Sequence, residues 1–343
     1  MKKVTVLGTG SWGTALSLVL ADQGYQVDFW GRNEKILMQL QTKRENEQYL
    51  PGVFLPEKVN IERDLNKALE NAEMVVLAVP SQAVRGVCRQ INKIVSVTKP
   101  VIVNTAKGIE VESLLRLSEV IKQELSIDGK YISVLSGPSH AEEVGRRLPT
   151  AVVAAAENKE IAEFVQNAFM TSTFRVYTNP DIIGVEMGGA LKNVIAIATG
   201  ISDGLGFGDN SKAALITRGL TEIARLGSTL GGELLTFAGL SGIGDLVVTC
   251  TSIHSRNRRA GIALGQGQPL DKVLKEMGMV VEGIKTTEAA YALAKREAVD
   301  VPIITQLYKI LFENLDPKQG VANLMGRTRT HEVEEVVFNR ENW

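Results

Sequence analysis

Lys3-Val4-Thr5-Val6-Leu7-Gly8-Thr9-Gly10-Ser11-Trp12-Gly13-Thr14-Ala15-Leu16 is the stretch whose reading decides the fold. A short apolar run of strand type passes straight into Gly-x-Gly-x-x-Gly. Ala15 to Leu20 then continues as helix, which Gly24 stops, and Val27-Asp28-Phe29-Trp30 reads as a second strand. In a dinucleotide-binding turn each glycine has its own task. Gly8 permits the tight bend, Gly10 lets backbone approach a pyrophosphate, and Gly13 lets helix pack on strand. The helix start at Ser11 and Trp12 offers unpaired N–H groups and a positive dipole end to phosphates. A glycine-rich turn without a ligand is the bland alternative, and the strand–loop–helix context argues against it.

The end of the second strand bears on which dinucleotide binds. NAD-specific folds place Asp or Glu there, about twenty residues past the glycines, to hold the ribose 2′-hydroxyl. Here that place holds Gly31-Arg32, while Asp28 lies earlier, inside the strand. An arginine accepts a 2′-phosphate instead. The expected cofactor is therefore NADP(H), or both NADP(H) and NAD(H).

Working outward, 343 residues suggest two domains, and 44% apolar with 22% charged residues is the composition of a globular protein. A net charge of -1 gives no global field toward nucleic acid or an anionic membrane. Cys88 and Cys250, the two cysteines, are far apart and form neither a disulfide framework nor a metal motif, which fits a reducing cytoplasm. Met1-Lys2-Lys3 imitates the start of a signal peptide, but Gly8 and Gly10 break the apolar run too soon. No stretch reads as a membrane-spanning helix.

The first half alternates strand and helix patterns. Met74 to Val79, Val101 to Thr105 and Tyr131 to Leu135 are continuous apolar runs, with Ala151 to Ala154 and Phe174 to Tyr177 as later candidates. Continuous runs suit strands buried on both faces of a parallel sheet, where ligands bind beyond the strand carboxyl ends. Pro80-Ser81, Lys107-Gly108 and Gly137-Pro138-Ser139 then point toward one crevice. After Pro180 long helical segments take over: Ile183 to Gly204, Asn210 to Leu230, Gly283 to Ala298, and a helix that starts at Pro302 and ends before Pro317. The expected organisation is an α/β Rossmann-type domain with a mostly parallel sheet over 1–180, and an all-helical domain over 181–343. The last dozen residues are highly charged and expected to be peripheral.

In the second half, Gly188-Gly189-Ala190-Leu191-Lys192-Asn193-Val194 carries a single lysine in an otherwise uncharged helix. Burial lowers a lysine's pKa toward the range useful for proton transfer. The competing reading is a lysine whose stem covers core while its amine reaches water. Gly188 and Gly189 admit another backbone or a substrate. Ser255-Arg256-Asn257-Arg258-Arg259 is the densest basic cluster, with Ser255 a plausible N-cap; arginine forks at a helix start bind phosphate or carboxylate. His140 reads as a packing or surface residue rather than a base. Cys250 lacks an activating neighbour, and no histidine–carboxylate spacing suggests a metal.

These motifs in combination resemble the soluble bacterial NAD(P)-dependent glycerol-3-phosphate dehydrogenases, nearly end to end. The resemblance is carried by Gly-Thr-Gly-Ser-Trp-Gly-Thr-Ala at 8–15, Asn-Thr-Ala-Lys-Gly-Ile-Glu at 104–110 and Ser-Gly-Pro-Ser-His-Ala-Glu-Glu-Val at 136–144. It continues through the Lys192 stretch, Gly-Leu-Ser-Gly-Ile-Gly-Asp-Leu at 239–246, Ser-Arg-Asn-Arg at 255–258 and Val281-Glu282-Gly283. It implies reversible reduction of dihydroxyacetone phosphate to sn-glycerol 3-phosphate for phospholipid synthesis, with Lys192 as proton donor and acceptor. It further implies a substrate site of Lys107, Gly137, Ser139, Lys192, Asp245, Ser255, Arg256 and Asn257. Cofactor contacts would come from Ser11, Trp12, Arg32, Tyr49, Lys107, Ala141, Arg256, Val280 and Glu282, beside Gly8, Gly10 and Gly13. Many relatives carry Phe where this chain has His140, which supports the bland reading of that histidine. A homodimer is expected by analogy. Two other readings stay open: a hydroxyacid or 6-phosphogluconate-type dehydrogenase, and a non-catalytic NADP(H) sensor that would not need Lys192.

Overall fold

The order of strands follows from where each apolar run can be buried. In the computed structural model, which describes residues 2–328 together with 331 and 332, ten strands form: β1 (Lys3–Leu7), β2 (Gln26–Trp30), β3 (Glu45–Asn46), β4 (Leu50–Phe54), β5 (Val59–Glu62), β6 (Met74–Leu77), β7 (Val101–Asn104), β8 (Ile132–Ser136), β9 (Thr150–Ala155) and β10 (Phe174–Asn179). Eight of them make one sheet, in the order β10-β9-β8-β7-β6-β1-β2-β5, and β3 pairs with β4 in a separate antiparallel ribbon. Successive residues of the central strands face opposite layers. Val4, Val6, Met74, Val76, Val101 and Val103 join the core on one face; Leu7, Val75, Leu77 and Ile102 join the core on the other. That is why these strands read as unbroken apolar runs.

The sheet is mostly parallel, as expected, with one departure. β8 and β9 are antiparallel while β9 and β10 are parallel to each other, so the last two strands run against the rest. β10 also alternates buried and exposed residues, as an edge strand does. β4 and β5 gave no clear strand signal: β4 contains Pro51 and Gly52 and buries only Leu50 and Val53, and β5 closes the other edge of the sheet.

β10 ends at Asn179, and the Asp181 side chain caps the next helix, Ile182–Gly204, by accepting from the Gly184 N–H at 2.7 Å. This helix is the hub of the second half, packed by helices Asp209–Thr229, Arg256–Gly265, Glu282–Arg296 and Pro302–Phe312. It and the broken helical stretch Leu234–Thr251 are long and apolar enough to cross a membrane, which corrects the expectation that no segment was; 89% of the most apolar 18-residue window of the first is buried inside the protein, and 39% of the second. A helix surrounded on all sides needs no polar face. Pro317 follows the end of helix Pro302–Phe312 as expected, and itself opens a further helix, Pro317–Met325, with Asp316 as its cap. From 333 onward the charged terminus lies outside the described residues.

Candidate active site

The glycine loop builds the first wall. Gly8 sits at φ +120°, and a Cβ there would lie 2.4 Å from the Ala78 carbonyl oxygen; one on Gly13 would lie 1.9 Å from the Gly8 oxygen. Both positions are closed to any side chain. Gly10 is the opposite, with nothing within 4 Å of its Cβ position. The space above the start of helix Ser11–Asp22 is therefore open, and no side chain caps that helix. Its first N–H groups face a cradle that fits a pyrophosphate. Trp12 flanks the loop with its indole nitrogen buried and unpaired. Tyr49 and Ala141 pack on the same core nearby. Asp28 is buried and engaged by Lys3 at 2.7 Å and Asn60 at 2.8 Å, so β2 ends without a carboxylate in its terminal turn. Exposed Arg32 occupies that turn, before Asn33 caps the next helix.

The second wall comes from the carboxyl ends of β6, β7 and β8, which converge as the topology predicts. Lys107, beyond β7, donates to the Gly137 carbonyl at 2.8 Å and to Asp245 Oδ2 at 2.6 Å. Ser139 Oγ donates to the same Gly137 oxygen at 3.0 Å. Ser81, beyond β6, donates its N–H and hydroxyl to the two oxygens of Glu282, at 3.0 and 2.5 Å.

The third wall belongs to the helices. Lys192 is 6% exposed and Asp245 1% exposed, so the lysine is buried and its amine does not reach out to water. Lys192 Nζ donates to Asp245 Oδ1 at 2.7 Å and to Thr249 Oγ1 at 2.6 Å. The Thr249 hydroxyl in turn donates to the Asp245 backbone carbonyl at 2.6 Å. One carboxylate thus holds two ammonium groups, one per oxygen. Burial pushes the Lys192 amine down, Asp245 pulls it up and Lys107 pushes it down again, leaving it at about 8 against an ordinary 10.5. Burial alone would raise Asp245, but the two lysines outweigh it and hold the carboxylate below its usual range. The lysine is poised close to neutrality while its counter-ion stays charged.

Ser255 caps helix Arg256–Gly265 by accepting from the Arg258 N–H at 3.2 Å. Arg256 leans across the crevice, to the Val280 carbonyl at 3.4 Å and to Ser11 Oγ at 3.3 Å in the glycine loop. Asn257 is fully engaged: it donates to Asn193 Oδ1 at 2.9 Å and accepts from the Gly283 N–H at 2.9 Å. Asn193 reaches the Lys107 carbonyl at 3.4 Å. This chain of amides ties the Lys192 helix to Arg256 on one side and Lys107 on the other. Burial pushes the Glu282 carboxyl up, against the Ser81 hydrogen bonds that pull it down.

Of the residues singled out in the sequence, hydrogen bonds join Lys107, Gly137, Ser139, Lys192 and Asp245 in one cluster and Ser11, Arg256 and Val280 across the crevice, whereas none ties exposed Arg32 to either group among the described residues. Thr249 touches the Lys192 amine and went unnoticed; it lies four residues past Asp245 on one helix face, the spacing that could have found it. His140 lies against the site with its Nε2 buried and unpaired and its ring 6.0 Å from that of His254. Burial and the neighbouring Lys192 hold its pKa down. Burial pushes the Cys250 thiol to about 11, so it is no nucleophile.

A fold, a phosphate cradle and a buried lysine–aspartate pair of this kind can be compared with known proteins. A sequence model of the NAD-dependent glycerol-3-phosphate dehydrogenase N-terminus matches residues 3–162, and one of the C-terminus of the same family matches residues 181–322. The glycerol-3-phosphate dehydrogenase [NAD(P)+] of Bacillus pumilus is 54% identical over 343 residues, covering 100% of this chain and 99% of its own. That of Pelotomaculum thermopropionicum is 57% identical over 338 residues, 98% of this chain and 96% of its own. The crystal structure of glycerol-3-phosphate dehydrogenase from Coxiella burnetii superposes with a TM-score of 0.91 at 42% identity, over 95% of this chain and 99% of that one. The chain belongs to the NAD-dependent glycerol-3-phosphate dehydrogenase family.

Proposed function

We propose that this protein reduces dihydroxyacetone phosphate to sn-glycerol 3-phosphate, reversibly, using NADPH or NADH, with Lys192 as the proton donor. The observation that carries the reading is the buried Lys192–Asp245–Lys107 arrangement at the mouth of an open dinucleotide cradle. A dinucleotide held by the glycine loop and Arg256 would supply hydride-transfer chemistry to the substrate C2. As negative charge grows on the C2 oxygen, Lys192 Nζ delivers a proton to it, and the ketone becomes a secondary alcohol. Asp245 keeps that ammonium oriented and charged; Lys107 holds the second oxygen of Asp245 and places another cation beside the developing oxyanion. The substrate phosphate takes the start of helix Arg256–Gly265, where exposed N–H groups and the Arg256 fork suit a dianion. Gly137, Ser139, Ser255 and Asn257 shape that pocket. Ser11, Trp12, Tyr49, Ala141, Val280 and Glu282 line the cofactor side, and Arg32 takes the 2′-phosphate of NADPH.

A sensor that only binds a dinucleotide would have no use for a buried lysine with a near-neutral pKa, and a hydroxyacid dehydrogenase would need no phosphate anchor. The product supplies glycerophospholipid synthesis. We place the division between the cofactor-binding and helical domains at Pro180/Asp181. Two buried free cysteines support a cytoplasmic setting, and a homodimer is the assembly we propose, on analogy with this class. The test is NADPH oxidation with dihydroxyacetone phosphate against 2-keto acids of similar size. Turnover confined to the phosphorylated ketone supports the reading, and preference for a carboxylate substrate contradicts it.

A further inference from the structure

Helix Ile182–Gly204 contains glycines at helical backbone angles, where nothing local calls for glycine and alanine would stabilise the helix. At Gly188 the reason is outside the helix. A Cβ there would lie 2.4 Å from the Ser241 carbonyl oxygen, 3.1 Å from its carbon and 3.4 Å from Gly242 Cα, all backbone. The segment it would strike is an unusual one. Leu240–Gly244 is a single π-helical turn that runs directly into Asp245 and helix Asp245–Thr251. Such turns displace the residue that follows them and recur at functional sites. Its own backbone is tight as well: a Cβ on Gly242 would lie 1.9 Å from the carbonyl oxygen of Phe237, five residues earlier in the same stretch.

The spacing gives the contact its meaning. Lys192 follows Gly188 by four residues on the same face of its helix, and Asp245 follows Ser241 by four. Two points fix how the segments lie together: backbone on backbone at Gly188 and Ser241, and Lys192 Nζ on Asp245 Oδ1 at 2.7 Å. With the first fixed, the Asp245 side chain falls where one oxygen meets Lys192 and the other meets Lys107.

We propose that Gly188 is a positioning residue for proton transfer: its missing side chain lets the Ser241 carbonyl seat against the Lys192 helix, and that contact holds Asp245 between Lys192 and Lys107. The inference rests on the proposed role of Lys192 and extends it to a residue that touches neither substrate nor cofactor. The groups facing the Lys192 amine are Asp245, Thr249 and Cys250 from helix Asp245–Thr251, Lys107 from the end of β7, and His140 from the loop after β8. Asp245 is the anion among them that holds the ammonium charged. Lifting the π turn away moves that support and leaves burial and Lys107 to drive the proton off.

The test is the pH profile of kcat for dihydroxyacetone phosphate reduction by wild type, Gly188→Ala and Gly200→Ala. Gly200 is a control on the same helix, where a Cβ would strike the Arg258 carbonyl oxygen at 2.2 Å. The expected result is an alkaline limb in Gly188→Ala that moves to lower pH, with kcat at pH 8 down about tenfold. Both variants strike backbone and lose Tm by a similar amount, while the NADPH affinity of Gly188→Ala stays near wild type and the limb of Gly200→Ala stays in place. An unmoved limb in Gly188→Ala overturns the proposal, as does loss of NADPH binding together with activity, which would make the glycine merely structural. A wild type with no alkaline limb at all refutes instead the underlying role of Lys192.

Discussion

At the scale of single residues, the proposed chemistry rests on Lys192 and its partner Asp245. A lysine poised at about 8 is an acid that is still loaded at neutral pH and gives up its proton readily. The sign of the pH dependence follows. Reduction needs the ammonium, so kcat falls as pH rises through about 8; oxidation of glycerol 3-phosphate needs the free amine and gains over the same interval. Steady-state profiles in both directions check this, and parallel profiles would contradict it. We propose that Arg32 governs cofactor choice. Arg32→Ala should weaken NADPH by about 1.5–3 kcal/mol, tenfold or more, and leave NADH nearly unchanged; equal losses of kcat/KM for both would refute a 2′-phosphate contact. Lys192 stood out as a candidate because an uncharged helix rarely carries one charge without reason, and its burial agrees with that reading. Its partner did not. From its neighbours alone Asp245 was a lone acid between Gly244 and an apolar run, and only the family resemblance placed it in the substrate site, because the contact that gives it meaning spans 53 residues of sequence.

At the scale of elements, the glycine loop separates two roles that sequence motifs merge. Gly13 is excluded from bearing a side chain by protein backbone, whereas the Cβ position of Gly10 meets nothing. Gly10→Ala should therefore melt within about 2 °C of wild type, having lost no packing, and bind NADPH far more weakly. Gly13→Ala should lose Tm itself. Differential scanning fluorimetry with a NADPH titration compares them, and equal Tm losses would contradict the division. The second glutamate-to-helix contact lies within the helical domain. Buried Glu222 accepts the first two free N–H groups of helix Pro302–Phe312, from Ile303 at 2.7 Å and Ile304 at 3.1 Å. Removing it in Glu222→Ala strands both donors and should cost about 2 kcal/mol in a denaturant titration; an unchanged midpoint would contradict the cap. Burial raises the Glu222 carboxyl to about 7 in the folded state. Its contribution to stability is thus full below the ordinary carboxylate range and is lost as pH rises toward 7. The long periodic helices and the twice-buried strands β6, β7 and β8 were readable, because burial on both faces leaves an unmistakable run. β4, β5 and the antiparallel turn into β9 were not. Edge strands bury little, and strand direction is fixed by what the connecting chain packs against rather than by the strand's own residues.

Across the whole molecule, polar contacts, some of them buried, join the two halves. Glu186, on the Lys192 helix, accepts from Arg116 at 2.7 Å and from the Ser118 N–H and hydroxyl at 2.8 and 2.5 Å. Glu282 holds Ser81 in the same way, and Lys107 and Asn193 complete the seam. These joins keep the cofactor cradle and the lysine in register, and every one is a long-range pairing that composition and periodicity do not encode. The account stands on one claim, that Lys192 delivers the proton to a phosphorylated ketone held at that seam. Its most direct test is single-turnover oxidation of bound NADPH by dihydroxyacetone phosphate in Lys192→Ala. A fall in rate of about 10²–10⁴-fold, with NADPH affinity retained and partial rescue by added primary amines, is the predicted result. A rate within a factor of about two of wild type would correspond to under ~0.5 kcal/mol of transition-state stabilisation and would contradict the claim.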